Sequence, residues 1–162
     1  MSDNLSPVLL RFRSAAADFI QAVDSTSQME CEPFLARVSH CLAELYSSAL
    51  HLPPVEPDTA VASDSPPVND ELTELFRSLK QKIGPLEEYW EIFDATAKEA
   101  PVQGSIALDI SEIYLDLKKD LHHIEERASQ RDFLWDLRFS FRSHWGPHLL
   151  AALKAIHDRH VE

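Results

Sequence analysis

The hydrophobic residues of the chain recur mainly at intervals of three and four, the spacing that places them on one face of an α-helix. The first such stretch follows Ser6-Pro7, where serine suits the N-cap and proline the first helical position. The second begins near Glu30 and ends at Pro53-Pro54, because proline cannot continue a helix. These two stretches predict an N-terminal helical hairpin.

A third helix is predicted to start at Asn69 or Asp70 and to run until Gly84-Pro85 interrupts it. The pattern then predicts a short helical continuation, whose apolar positions are Tyr89, Trp90 and Phe93. A loop over roughly residues 94–104 follows.

The fourth predicted helix has the cleanest periodicity in the chain, and Ser105 is placed to open it. Its apolar seam consists of Ile106, Ile110, Ile113, Leu117, Leu121 and Ile124. Such a seam predicts a helix that packs along its whole length against others.

The segment from Phe133 to Phe141 fits two templates. Its apolar residues alternate with mostly polar ones, as in a β-strand. A lone strand would leave its backbone groups unpaired, because every other segment is predicted to be helical, so we favour a helix. Wound as a helix, the segment has one broad apolar face and a second ridge nearly opposite, formed by Trp135 and Phe139. Gly146-Pro147 must kink or restart this helix before a final amphipathic stretch.

Residues 53–69 contain five prolines with serine and acidic residues and no large apolar side chain except valine, the composition of a flexible connection. The helical hairpin before this loop is too small to hold a core alone, so we do not read the loop as a domain boundary. The prediction is therefore an all-α fold: one domain over residues 1–162, a bundle of about five to six helices with a long Pro-rich loop at 53–69.

The charge balance narrows the classes of partner. Asp and Glu number 27 against 15 Lys and Arg, a net charge of −12, which disfavours nucleic acid because its phosphates would be repelled. No apolar run approaches the roughly 20 residues that span a bilayer, and residues 1–13 lack the pattern of a secretory signal. We therefore expect a cytoplasmic protein without membrane or nucleic-acid contacts. Cys31 and Cys41 are expected to be buried thiols, too far apart on one helix for a disulfide.

His144 and His148 lie four residues apart, the spacing at which two imidazoles on one helix face can share a metal ion. Pro147 lies between them, so their separation cannot be taken from ideal helix geometry. The favoured alternative is that the two rings are polar groups that cap the kink.

Asp109, Glu112 and Asp116 form an acidic stripe along the fourth helix. It would hold Mg²⁺ if a facing helix supplied Glu88 and Glu91, as paired acids do in the all-helical nucleotide pyrophosphohydrolases. Those enzymes use Glu-x-x-Glu followed by Glu-x-x-Asp, whereas the second pair here reads Asp-x-x-Glu. A solvated helix face is the favoured alternative.

Other chemistry lacks a sequence signal. A di-iron bundle is close to excluded because the chain has no Glu-x-x-His pair. There is no glycine-rich phosphate loop and no local signature around a nucleophile, so we predict no catalytic residue and no cofactor.

Trp135 and Phe139 are accompanied by Arg138 and Arg142. Aromatic residues with arginines suit either the stacking of a planar ligand or a protein interface, where Trp and Arg are enriched among the residues that carry the binding energy. The favoured alternative is that both aromatics are buried in the core.

Two patterns near the C-terminus carry a resemblance: D-I-x-x-I-Y-x-D-L-K over residues 109–118 and W-G-x-H-L over residues 145–149. With them the chain resembles an uncharacterised bacterial family of all-helical proteins, a domain of unknown function. The resemblance implies a small, bacterial, cytoplasmic helical protein and brings no established activity. It draws attention to Tyr114 and Asp116, which would hydrogen-bond to the Trp-Gly turn. With His144 and His148 they are predicted to form a polar latch or a small-ligand pocket.

The sequence leaves function open between two classes. The favoured prediction is a non-enzymatic protein-interaction or adaptor module that binds a protein partner, or a second copy of itself, through the Trp135/Phe139 ridge. The alternative is a metal-dependent hydrolase of the pyrophosphohydrolase type that uses Asp109, Glu112 and Asp116. The acidic surface would also suit a partner of a basic protein.

Overall fold

A computed structural model of the protein describes residues 5–58, 70–92, 96–123 and 129–159. Within these ranges the chain forms six α-helices and one small antiparallel sheet, which confirms the prediction of an all-α bundle. The elements in chain order are α1 (Leu5–Asp24), α2 (Cys31–Leu50), α3 (Asp70–Ile83), β1 (Glu88–Glu91), β2 (Val102–Ser105), α4 (Ile106–His123), α5 (Gln130–Ser140) and α6 (Gly146–His157).

Helix α4 lies at the centre of the bundle. It packs against α1, α3 and α6, while α1 and α2 form the predicted N-terminal hairpin and α2 also contacts α6. The predicted seam of α4 faces the core: Ile106, Ile110, Ile113 and Leu117 are fully buried. Burial of this stripe is the main source of stability for such a helix, since isolated helices of this length are marginal in water.

The two cysteines lie on α2, as predicted, and both are free thiols. The prediction that they are buried is wrong, because both are only partly buried. The Cys31 thiol contacts the carbonyl of Ile83, and the Cys41 thiol contacts the carbonyl of Asp18. Burial raises the pKa of both thiols, which lowers their thiolate content and hence their nucleophilicity at neutral pH.

The predicted helical continuation through Tyr89 and Trp90 is wrong. Gly84 ends α3 with a φ of 60°, in the left-handed region that favours glycine, and a 3₁₀ turn over Gly84–Leu86 leads into β1. β1 pairs antiparallel with β2, with Tyr89 opposite Gly104. A Cβ atom at Gly104 would lie 2.3 Å from the Tyr89 ring, so glycine is what lets that ring lie across β2. Phe93 lies outside the described residues.

The segment that alternates like a strand is a helix, as predicted. Ser129 caps α5 by accepting hydrogen bonds from the amides of Arg131 and Asp132. The broad apolar face of α5 is buried through Phe133, Leu134 and Leu137.

The predicted kink at Gly146-Pro147 takes the form of a π turn over Phe141–Trp145. Pro147 has no N–H, and its ring crowds the carbonyl four residues earlier, so the regular ladder cannot continue. The amide of Gly146 donates instead to the carbonyl of Phe141, five residues back. A Cβ atom at Gly146 would lie 2.2 Å from that same oxygen. Trp145 is fully buried there and packs against Phe12 and Phe141.

The predicted flexible loop falls mostly outside the described residues, which omit 59–69. Its first part, residues 53–58, has no helix or strand and is attached to α5: the amide of Asp58 donates to Asp132 at 2.6 Å. In the part of the chain that is described, none of the helices has the length and apolar character to cross a membrane.

Candidate functional site

Asp109 on α4 is the centre of a buried polar cluster that joins three elements. The residue is only 5% exposed, and its two carboxylate oxygens accept hydrogen bonds from different elements. His148 of α6 donates from Nδ1 at 2.7 Å, and the Tyr89 hydroxyl of β1 donates at 2.6 Å. One carboxylate therefore ties both α6 and β1 to α4.

A second histidine–carboxylate pair lies beside the first. His144, in the π turn, donates from Nδ1 to Asp116 of α4 at 2.5 Å, and its ring meets the His148 ring edge to face, with centroids 5.2 Å apart. In both rings Nδ1 is engaged by a carboxylate, so Nε2 is the nitrogen left for another ligand or for water. We call Tyr89, Asp109, Asp116, His144 and His148 the histidine–carboxylate cluster.

The cluster shifts the acidity of the groups around Asp109. The hydrogen bond that His148 donates to Asp109 raises the pKa of His148, burial partly offsets this rise, and the charges of Glu112 and Asp116 raise the pKa further. Burial, followed by the bond to Asp109, raises the pKa of Tyr89. Burial and then the charge of Asp109 raise the pKa of Glu91. Such shifts concentrate at binding and catalytic sites, although structural ion-pair networks produce them too.

Three of the four residues predicted to form a latch or pocket are brought together: Asp116, His144 and His148. Tyr114 is placed elsewhere, since its hydroxyl donates to Asp24 of α1 at 2.7 Å. The sequence predicts Asp109 as part of the acidic stripe rather than of the latch or pocket. It gives no indication that Tyr89 belongs to the cluster. Four-residue strands carry little periodic signal, so Tyr89 was predicted to lie on a helix.

The acidic stripe does not assemble as a magnesium site would require. Asp109 and Asp116 already accept hydrogen bonds from the two histidines, and Glu88 and Glu91 lie in β1 rather than on a facing helix. Across the described ranges, no group of three or more His, Cys, Asp or Glu side chains is arranged to hold a metal ion.

The predicted aromatic ridge on α5 is a surface feature. Trp135 and Phe139 stack with ring centroids 5.2 Å apart and planes inclined by only 5°. Phe139 is 57% exposed and Trp135 is half-buried, so the ridge is not part of the core. Arg138 donates to the carbonyl of Leu52, while Arg142 is exposed. We call Trp135, Arg138, Phe139 and Arg142 the α5 ridge.

A cavity of about 420 Å³ lies between β1 and α6 and shares Tyr89 and Glu91 with the surroundings of Asp109. This volume falls in the range of sites for small molecules and peptide side chains. Its lining consists of Tyr89, Trp90, Glu91, Ile92, Pro101, Ala151, Lys154, Ala155, Asp158 and Arg159.

Comparisons with known proteins bear on the family and the fold. The crystal structure of protein BF1032 from Bacteroides fragilis matches with a TM-score of 0.76 at 20% sequence identity, over 94% of this chain and 91% of that one; at this identity it supports the fold alone. No match was found among curated proteins. The family model described as "Domain of unknown function (DUF5063)" matches residues 3–162. The chain therefore belongs to the DUF5063 family, a domain of unknown function.

Proposed function

We propose that this protein is a non-enzymatic protein-interaction module that binds its partner through the α5 ridge. The observation that carries the proposal is the exposure of Phe139, a large apolar ring that is 57% exposed although it is stacked flat on Trp135. Burying an aromatic ring of this size on binding contributes on the order of 1–3 kcal/mol. A fixed stack loses little side-chain entropy when it is covered.

The charges beside the ridge indicate the chemistry of the partner. Arg142 is exposed next to the aromatic pair, and Arg138 is held in place by the carbonyl of Leu52. Arginines beside aromatic rings are typical of the residues that dominate binding energy at interfaces. The complementary surface is therefore an apolar patch with carboxylates at its edge.

A different protein suits the ridge better than a second copy of this chain. A two-fold symmetric contact through the ridge would place the same patch on both sides, so both sides would carry the positive charge of the arginines. Light scattering at high micromolar concentration tests this point. We expect a monomer; a dimer that Phe139→Ala dissociates would show that the ridge binds its own copy instead.

Site-specific photo-crosslinking in cells tests the interaction. A photoreactive phenylalanine analogue at position 139 is expected to give one saturable adduct. The same analogue at Leu10, which is 60% exposed on α1, is the matched control and should give none.

With the adduct identified and purified, Phe139→Ala should weaken binding by about tenfold or more, and Leu10→Ala by less than about twofold. Equal crosslinking from both positions, or equal affinity of both variants, would refute the role of the ridge.

The hydrolase alternative is less well supported, because Asp109 and Asp116 are committed to the histidines. A thermal-shift titration with Mg²⁺, Mn²⁺ and Zn²⁺ separates the two functions, since a metal that binds only the folded state must raise the melting temperature. We expect no rise with these ions. A rise that Asp116→Asn and Glu112→Gln abolish would favour the hydrolase.

A further inference from the structure

The hairpin leaves the outer edge of β1 without a neighbouring strand in the described part of the chain. The amide of Ile106 donates to the carbonyl of Glu87 at 3.0 Å, in register with the β1–β2 pairing. Hydrogen-bonded pairs alternate along an antiparallel ladder, so Tyr89 and Glu91 also turn their backbone groups toward β2. Trp90, between them, turns its N–H and C=O to the outer edge.

A contact from the turn that follows α6 marks the same edge. The Arg159 guanidinium donates to the carbonyl of Glu88, two residues before Trp90, and also to the carbonyl of Ala155 on α6. The turn after α6 therefore supplies one donor to the outer edge. For the outer backbone groups of Trp90, the described ranges contain no hydrogen-bond partner.

The cavity between β1 and α6 borders this edge, since Trp90 and Arg159 both line it, and its lining is apolar and balanced in charge. Its apolar part consists of Trp90, Ile92, Pro101, Ala151 and Ala155. Its charged part holds two carboxylates and two cations, which are Glu91, Asp158, Lys154 and Arg159. The Lys154 and Asp158 side chains pair with each other. A balanced lining complements an uncharged ligand better than an anion or a cation.

We propose that this β1–α6 groove binds an extended, uncharged and apolar peptide segment of another protein, which adds to β1 as a third strand. A peptide in the extended conformation presents its own N–H and C=O groups along one edge. These groups can pair with the outward-facing C=O and N–H of Trp90, as in an antiparallel sheet. Alternate side chains of the same segment then point toward the cavity. Trp90 is 70% exposed, so its ring is available to cover the bound segment. The proposal is independent of the α5 ridge.

Selection from a library of random, phage-displayed dodecapeptides against the full chain provides the probe. We expect enriched peptides to alternate apolar residues and to carry little charge. Ala151→Trp fills the groove, and Leu150→Trp places the same ring on the neighbouring exposed position, which does not line the cavity. A selected peptide should lose about tenfold or more in affinity on Ala151→Trp and less than about twofold on Leu150→Trp.

Backbone methylation of the selected peptide tests the strand pairing itself. Methylating one amide nitrogen at a time removes one donor. We expect loss of binding at the position whose N–H pairs with the Trp90 carbonyl and not at the others, because Arg159 already donates to the Glu88 carbonyl. Phe139→Ala should leave the peptide affinity unchanged, which separates this groove from the α5 ridge.

Three outcomes would overturn the proposal. The first is a selection that enriches the same peptides on Ala151→Trp. The second is tolerance of methylation at all positions, which would indicate apolar burial without strand addition. The third is a concentration-dependent dimer of the unliganded chain that Ala151→Trp dissociates, because a second copy would then occupy the edge.

Discussion

Asp109→Asn is the perturbation that tests the histidine–carboxylate cluster most directly. The substitution keeps the shape of the side chain and removes its charge. Asp109 accepts from His148 at 2.7 Å and from Tyr89 at 2.6 Å, and it is only 5% exposed. An asparagine can still accept one of these bonds through its oxygen, but its amide nitrogen cannot accept the other.

The expected loss depends on pH because the pKa of His148 is raised by its bond to Asp109. A raised pKa in the folded state stabilises the protein fully below the unfolded pKa of about 6.5, and this stability disappears as pH rises through the folded pKa. Near pH 6, Asp109→Asn removes a hydrogen bond between charged groups, worth about 1.5–3 kcal/mol. Well above the folded pKa His148 is neutral, so the part of the loss that comes from its positive charge is absent and Asp109→Asn should cost less than near pH 6.

Urea unfolding at pH 6 and pH 9 measures both losses, and thermal unfolding should show a drop of about 3–12 °C at the lower pH for a chain of this size. Asp116→Asn is the matched control on the same helix. Its partner His144 is about half exposed, so the loss should be under about 1 kcal/mol. An NMR titration of the His148 ring should give a lower pKa in Asp109→Asn. If the Asp109→Asn loss is equal at the two pH values, protonated His148 does not stabilise the fold through Asp109.

Two other substitutions test local features of the fold. Gly146→Ala gains about 1 kcal/mol of helix propensity, but its Cβ would lie 2.2 Å from the Phe141 carbonyl oxygen. We expect urea unfolding to show a net loss of about 1–3 kcal/mol in the free energy of unfolding, and a stabilised variant would contradict the close approach. Tyr114→Phe removes the hydrogen bond to Asp24 and should lower the free energy of unfolding by about 1–3 kcal/mol. The pKa of His148 should stay unchanged; a changed pKa would show that Tyr114 acts on the histidine–carboxylate cluster.

The helices could be predicted because their stability follows from local pattern. In α4 the apolar seam repeats every three to four residues, and that seam is what the bundle buries. The sheet could not be predicted in the same way. β2 reads Val-Gln-Gly-Ser, with no alternation of apolar residues. Its pairing depends on Tyr89 lying across Gly104, a contact between residues that are distant in sequence.

The site was predictable only in part, for a related reason. The four-residue spacing of His144 and His148 indicated that these two side chains could act together. Asp116 could be singled out because it belongs to the D-I-x-x-I-Y-x-D-L-K pattern. Which carboxylate each histidine meets could not be derived, because a π turn changes the angular relation between the two rings from that of a regular helix. Tyr89 reaches Asp109 from a strand that the local pattern did not predict.

The arrangement of β1 links the cluster to the outer groove. Tyr89 turns its hydroxyl to Asp109 on one side of the strand, and Trp90, the next residue, turns its backbone to the open edge. The bond to Asp109 attaches β1 to α4, and Arg159, in the turn after α6, donates to the carbonyl of Glu88. These two attachments hold in place a four-residue strand that would be only marginally stable in an isolated hairpin. Each carboxylate of the cluster accepts from another element, so the cluster joins β1, the π turn and α6 to α4.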